Sequence, residues 1–385
     1  MKHEELIAIR RHLHQHPELS CEESETAAFI AEQLRGMGLA PEVGGYGAPT
    51  SVVATVVGDK AGPTHAWRAD TDALPILEAT GATYASCNAG VMHACGHDVH
   101  TTIGLGVAAG LVAQRGSLGG SVKLIFQPAE EGVPGSGVVG AEAMARGGVL
   151  NGVDAAFACH CHPPMRTGSI GYARGGIWAG SDAFRLTIRG RQSHGAYPQD
   201  GIDPIYVAAQ LIVALQSIPG RVVDTRDSVV VSVGQVEAGN AFNVIPETAS
   251  LVGMIRTLDE GVRERALTAF ERLVDGICAA HGATPELTLS RGAVPVINDD
   301  ALLDRALACL APGLAVPVQP QMGAEDFASF STRCPSVYFM LGVGDPDRGI
   351  VHPIHSPRFD VDEACLAFAV ENFTDMLLRL GDSEG

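Results

Sequence analysis

The sequence predicts an α/β fold: a three-layer domain over residues 1–177 and 293–385, interrupted at 178–292 by a smaller α+β domain. Three observations carry that expectation. Short apolar runs alternate with helical periodicities through both outer segments, as in a sheet covered by helices. The segment between them reads strand, helix, strand, strand, helix, strand, which is the ferredoxin-like order. No long low-complexity linker interrupts the chain, and no internal repeat of roughly 20–50 residues is present.

The elements follow in order. Residues 3–16 place Leu6, Ile9 and Leu13 at helical spacing and stop at His16-Pro17; residues 22–38 do the same with Ala28, Ile30 and Leu34 and stop at Gly38. Buried strands are expected at 51–57, 65–68, 122–126, 155–158 and 337–341, with helices at 101–114, 142–146 and 363–380. Within the insertion the strands are 183–189, 228–237, 248–256 and 284–290, and the helices 204–218 and 260–281. Gly104-Leu-Gly106-Val-Ala-Ala-Gly110 has some of the form of a dinucleotide fingerprint, but it lies inside a helical run rather than after a strand and is discounted.

Composition narrows the function. With 385 residues, 46% hydrophobic and 18% charged, the chain can bury a large core. A net charge of −18 argues against nucleic acid or an anionic membrane as partner. The nine cysteines are scattered and odd in number, which suits a reducing compartment better than a disulfide framework. The N-terminus lacks the apolar core of a signal peptide, and no run reaches the roughly 20 apolar residues of a membrane span. A cytoplasmic location is expected.

Candidate ligands gather in four places. In His93-Ala-Cys95-Gly96-His97-Asp98-Val-His100, Cys95 and His97 lie two apart, so an extended backbone projects them to one side. The plain alternative is a turn before a helix, with Asp98 as its cap. The strand 122–126 runs into adjacent Glu130 and Glu131 at its carboxyl end, where open α/β sheets bind ligands. Alone such a pair is a solvated surface feature; beside a metal centre, one acid can ligate while the other handles a proton. Cys159-His160-Cys161-His162 ends a further strand; its alternation suggests a structural zinc site, but such sites usually come as two pairs separated by a loop, which is absent here. His352-Pro-Ile-His355 follows the run 337–341, and a structural histidine fits either position. There is no Walker loop, H-E-x-x-H or G-x-S-x-G.

Taken together, Arg68-Ala-Asp70-Thr-Asp72-Ala-Leu-Pro75, His93-Ala-Cys95-Gly96-His97-Asp98, Gln127-Pro-Ala-Glu130-Glu131, Asn240-Ala-Phe-Asn243-Val-Ile-Pro246 and Gly323-Ala-Glu325-Asp326-Phe327 closely resemble the amidohydrolase branch of the co-catalytic, dinuclear metallopeptidases. The branch includes indole-acetyl-amino acid, hippurate and aminobenzoyl-glutamate hydrolases and N-acetyl-diaminopimelate deacetylases. The resemblance extends over nearly the whole chain. It implies a metallopeptidase-like catalytic domain with an inserted lid and dimerisation domain at 178–292, two divalent ions (Zn2+ or Mn2+), and a small N-acyl substrate. It also implies Cys95, His97, Glu131, His160 and His355 as metal ligands, with Cys95 between the ions. Glu130 would be the general base, and Asp70 or Asp72 would orient a ligand. His194 would polarise the substrate carbonyl, often from a neighbouring subunit of a homodimer, and Asn243 and Arg256 would hold the substrate carboxylate. One departure stands out: cysteines flank His160 where relatives commonly carry valine, so Cys159, Cys161 or His162 is a further candidate for the metal shell.

The expected activity is therefore metal-dependent hydrolysis of an amide bond. A dipeptidase or carboxypeptidase, or a hydrolytic deaminase of an aromatic amine, is compatible with the same site. A non-catalytic metal- or ligand-binding protein is the reading from another class; the presence of Glu130 beside Glu131 argues against it, because binding metal needs no second acid there.

Overall fold

The computed structural model describes residues 1–132 and 137–382; the last residues of the expected outer domain, 383–385, lie outside them. The chain divides into two compact units, Met1–Gly175 with Asn298–Gln319 and Asp326–Gly385, and Gly176–Ile297 with Pro320–Glu325.

The first unit opens with helices α1 (His3–Gln15) and α2 (Ser24–Gly36), whose buried stripes run through Leu6, Ile9 and Leu13 and through Ile30, Ala31 and Leu34. Strands β1 (Glu42–Val43), β2 (Val52–Val57) and β3 (Lys60–Asp70) follow, then helix α3 (His97–Ala113), β4 (Gly119–Gln127), helix α4 (Gly140–Arg146), β5 (Ala155–Arg166) and β6 (Ile170–Tyr172). Of these strands, β3 and β5 run farthest beyond the apolar runs that foretold them. The first half of β3 contains Gly62-Pro63, and its pairing with β4 slips between Lys60 and Thr64, an irregularity that tolerates a proline. The second half of β5 is the Cys-His-Pro run, whose polarity concealed its extended backbone.

The second unit contains β7 (Gly180–Arg189), the short β8 (Ser193–His194), helix α5 (Pro204–Leu215), β9 (Val229–Ala238), the short β10 (Val244–Ile245), β11 (Thr248–Thr257), helix α6 (Glu260–Ala280) and β12 (Thr284–Arg291). The four long strands pair antiparallel in the order β9-β11-β7-β12, and the helices begin at side-chain caps: Asp203 accepts from the amides of Ile205 and Tyr206, and Asp259 from Val262. Along β7, Phe184, Leu186 and Ile188 face a core shared with Leu211, Leu215, Phe270 and Val274.

The chain then re-enters the first unit with helix α7 (Asp300–Cys309), β13 (Ala315–Pro317), β14 (Ser336–Gly344) and helix α8 (Ala364–Asp382). The large sheet has the order β1-β2-β4-β3-β5-β14-β6-β13. Its centre, β4-β3-β5-β14, is parallel, and every residue of β14 is buried, as expected for a strand covered on both faces. Helix α3 is apolar and buried nearly all round. At Gly110 a Cβ would stand 2.8 Å from Thr374 of α8, so the glycines of this run serve close helix packing and not a nucleotide. Among the described residues no helix is long and apolar enough to cross a membrane.

Candidate functional site

The parallel strands end on one side of the sheet, and the candidate residues of the first unit follow from those ends. Asp70 closes β3, Glu130 and Glu131 lie just beyond β4, His160 is on β5, and Cys95 and His97 flank Gly96 at the start of α3. Gly96 has φ +90°, and a Cβ there would lie 2.7 Å from Cys161 Sγ, so only glycine can make this turn.

The turn places the Cys95 thiol between two imidazoles. Its Sγ is 3.3 Å from His160 Nε2 and 3.3 Å from His355 Nε2. His355 Nε2 is in turn 3.3 Å from Glu131 Oε1, and His97 Nε2 is 3.9 Å from Glu130 Oε2. The ligand atoms of Cys95, His97 and His160 lie within 4.8 Å of one another, and so do those of Cys95, Glu131 and His355. Two triplets thus share one sulfur. His355 has φ +62°, a conformation uncommon for a side chain with a Cβ and typical of sites where strain serves function.

The surroundings fix which imidazole nitrogen faces inward. His97 Nδ1 donates towards the Asp72 carbonyl at 2.9 Å and lies 3.2 Å from Asp72 Oδ1, while its Nε2 is buried without a hydrogen-bond partner. His160 Nδ1 donates to the Cys161 carbonyl at 2.8 Å, directing Nε2 to Cys95. This is how metal-ligating histidines are usually held. His100 is different: Nδ1 donates to Asp70 at 2.5 Å and Nε2 accepts the Cys161 amide at 2.9 Å, so both nitrogens are engaged.

The acids are held just as firmly. Asp72 Oδ1 accepts the Glu130 amide at 3.1 Å, and Oδ2 accepts the Glu131 amide at 3.0 Å and the Ser20 hydroxyl at 2.6 Å. Asp70 is paired with Arg68 at 2.5 Å; Arg68 and Gln127 both reach Asp326, which also accepts the Ala141 amide at the start of α4. Burial, then Glu131, Glu130 and Asp70, hold the Cys95 thiol well above its ordinary range. Burial alone would lower the pKa of His97, but Asp70, Asp72 and Glu131 outweigh it and raise it to about 10. A group of anionic donors that drives its thiol and imidazole to keep their protons lacks positive charge. Divalent cations would supply that charge, and the bare Nε2 of His97 already faces the place they would occupy. The donor set fits a pair of metal ions.

Two details differ from expectation. Asp98 does not cap α3; its carboxylate accepts from Arg10 Nε and bonds His14 Nδ1, each at 2.8 Å, tying α1 to the ligand-bearing turn. Cys159 and Cys161 share one face of β5 and pack into the apolar core with Cys365, while His160 projects from the opposite face. Neither cysteine, nor His162 or His352, belongs to a metal-competent group among the described residues. Sequence reasoning missed Glu23, Arg10 and His14 altogether. Their only sign was charge on otherwise amphipathic N-terminal helices.

His194, Asn243 and Arg256 belong to the second unit. The β8–β10 ribbon brings the first two together: His194 pairs with Val244, and the Gly195 amide donates to the Asn243 carbonyl at 2.8 Å. His194 Nδ1 accepts the Ala196 amide at 3.0 Å, which leaves the proton on Nε2 of an exposed ring. Arg256 stands apart on β11, half-buried, with Nη1 lacking a hydrogen-bond partner; burial lowers its pKa, with Asp182 opposing.

A thiol shared between two sets of donors, with paired acids beside it at the carboxyl ends of parallel strands, is the arrangement of a metal-dependent hydrolase. The chain belongs to peptidase family M20/M25/M40, whose model matches residues 66–379, and it is a hydrolase of amide bonds. It is 39% identical over 381 residues to an N-acetyl-L-cysteine deacetylase of Bacillus subtilis, covering 98% of this chain and 89% of the relative. It is likewise 39% identical over 363 residues to thermostable carboxypeptidase 2 of Saccharolobus solfataricus, covering 94% and 91%. The crystal structure of the Bacillus subtilis YXEP protein, a dinuclear metal-binding peptidase of the M20 family, superimposes with a TM-score of 0.87 at 35% identity, over 99% of this chain and 98% of that one.

Proposed function

We propose that this protein hydrolyses the amide bond of a small N-acyl amino acid or related N-acyl compound, using two divalent ions held by Cys95, His97, Glu131, His160 and His355. The observation that carries the proposal is the Cys95 sulfur, 3.3 Å from an imidazole of each triplet. Bound divalent ions supply Lewis acidity and bring the pKa of water from 15.7 towards about 7. Glu130 takes the proton of the attacking water and returns it to the departing amine nitrogen. Asp72 keeps this base in place through the Glu130 amide and, by bonding His97 as well, fixes base and ligand relative to each other. His194, protonated on Nε2, donates to the carbonyl oxygen as it gains charge, in its own or a partner subunit. Asn243 and Arg256 hold the substrate carboxylate; the unsatisfied Nη1 of Arg256 supports that role. The thiolate favours zinc over harder ions, with manganese as the other candidate.

The deacetylase relative supports an N-acyl amino acid, and the carboxypeptidase relative keeps a peptide as the second reading. Both substrates present a free carboxylate. Protein reconstituted separately with zinc and manganese should release amine from acetyl-, benzoyl- or indole-acetyl-amino acids faster than from dipeptides, and lose turnover with chelator. Cleavage of dipeptides alone would favour the peptidase, and release of ammonia from an aromatic amine the deaminase. Metal uptake without any turnover would leave only a binding protein. We further propose a cytoplasmic homodimer joined through edge strand β9 and helix α5, where Val236 and Val213 are 53% and 74% exposed. A monomeric mass by light scattering would remove that assembly.

A further inference from the structure

Glu23 is fully buried immediately before α2, yet its carboxylate does not cap that helix. Glu18 does so instead, accepting the amides of Glu25 and Thr26 at 3.1 and 2.8 Å. Glu23 is thereby released to face elsewhere. Its Oε1 accepts the amides of Cys21 at 3.0 Å and Ala129 at 2.8 Å, and its Oε2 accepts the Thr50 hydroxyl at 2.8 Å. Among the described residues no cation pairs with it. A buried acid with three donors and no counter-charge is costly for a protein to keep, and burial followed by Asp72 pushes its pKa up. Such a group calls for a purpose.

Ala129 supplies it. This residue is buried and has φ +55°, a left-handed conformation disfavoured by its Cβ. It directly precedes Glu130 and Glu131. The three successive amides 129–131 are therefore all held by two buried carboxylates, Glu23 taking the first and Asp72 the next two. We infer that Glu23 is a positioning residue: by clamping Ala129 in its left-handed turn, it sets the direction in which Glu130 and Glu131 leave the sheet. The inference rests on the reading of Glu130 as the base and Glu131 as a ligand. It assigns a role to a residue distant in sequence from every ligand.

The test compares Glu23→Ala, Glu23→Gln and the double variant Glu23→Ala/Ala129→Gly, with Glu130→Ala as control. Glutamine can still accept from both amides and turn its NH2 to the Thr50 hydroxyl, so it should preserve the clamp. In metal-free protein, amide exchange over 129–131 should quicken in Glu23→Ala and stay near wild type in Glu23→Gln. In zinc-loaded protein with N-acetyl-L-cysteine as probe, kcat of Glu23→Ala should fall about 10- to 100-fold with KM within about twofold, the scale expected of a base displaced by about 1 Å. Glycine takes the left-handed turn without help, so the double variant should recover most of that loss. Unchanged exchange in Glu23→Ala would overturn the inference, as would a double variant no better than the single one. If Glu130→Ala turns over normally, the reading of the base fails instead, and the exchange measurement still judges the clamp.

Discussion

The interiors of the two units are made of different material. Around the candidate ligands the first unit buries Arg10, Arg68, Glu23, Asp70, Asp72, Asp98, His14, His93, His97, His100 and His160. Residues 176–297 of the second unit bury a single charged pair, Asp182 with Arg263, bonded at 2.6 and 2.8 Å, and Arg263 reaches on to Glu260 and the Gly292 carbonyl. Buried charge is weak evidence for stability, because desolvation offsets most of the attraction. The first unit thus uses its interior to aim donor atoms, whereas the second uses it to hold a scaffold whose candidate residues, His194 and Asn243, lie outside on a short ribbon. Where a protein concentrates buried polar groups shows which of its parts must be held in one geometry.

That contrast breaks most readily at its two extremes. In the first unit, Glu130→Gln should cut kcat by about 10²- to 10⁴-fold, the range for loss of a general base, while metal content and melting temperature hold. Turnover near wild type would show that the polar interior aims at something else. In the second unit, Arg263→Ala leaves the buried Asp182 carboxylate without its bonded cation, with only the Gly292 amide still donating to it at 3.3 Å, and should cost about 3–5 kcal/mol. Replacing both by apolar residues of similar volume should recover most of that stability. If the double replacement is as unstable as the single one, this pair specifies structure and the second interior is not mere scaffold.

The same division decided what the sequence could disclose. The ferredoxin-like order of the second unit was legible because four strand-like and two helical runs follow one another in the chain, and Phe184, Leu186 and Ile188 do alternate with outward residues. In the first unit the ligand-bearing segments were legible as motifs and not as elements. The start of α3 lies within the motif itself, at His97, four residues before apolar periodicity becomes readable. β5 continues through cysteines, histidines and prolines that resemble a loop. Pairwise partners across the chain were beyond reach. Nothing local marks Glu23 as the acceptor for Ala129, or Arg10 as the partner of Asp98, because both contacts depend on tertiary placement over separations of 106 and 88 residues.

A smaller effect tests the exposed ribbon. His194→Ala should lower kcat by about 10- to 100-fold through loss of one donor to the developing oxyanion, and leave melting temperature and metal content unchanged. A shift in melting temperature would mean that the ribbon contributes to the fold. An unaltered kcat would end the catalytic assignment of His194.

The smallest effect concerns acid stability and separates buried charge from surface charge. Glu78 is 6% exposed in its side chain and bonds His14, the Ser86 amide and the Thr80 hydroxyl. Burial would raise its pKa, but these three partners bring it down to about 2. A carboxylate whose folded pKa lies below its ordinary value of 4.5 stabilises the fold above that value and ceases to do so as pH falls to about 2. His14 has the opposite sign. Burial and Arg10 would lower it, but Asp98 and Glu78 raise it above 6.5, so its contribution is complete below 6.5 and is lost as pH rises through the raised value. Glu78→Gln should therefore lower stability by on the order of 2 kcal/mol between about pH 4.5 and 6.5, with the difference vanishing near pH 2. In the second unit, Glu286 also has its pKa lowered, by Arg189, but the pair is half in solvent, where screening and side-chain entropy consume the attraction. Glu286→Gln should leave the acid melting profile of metal-free protein where it was. Equal shifts in the two variants would show that position in the fold does not decide what a carboxylate contributes.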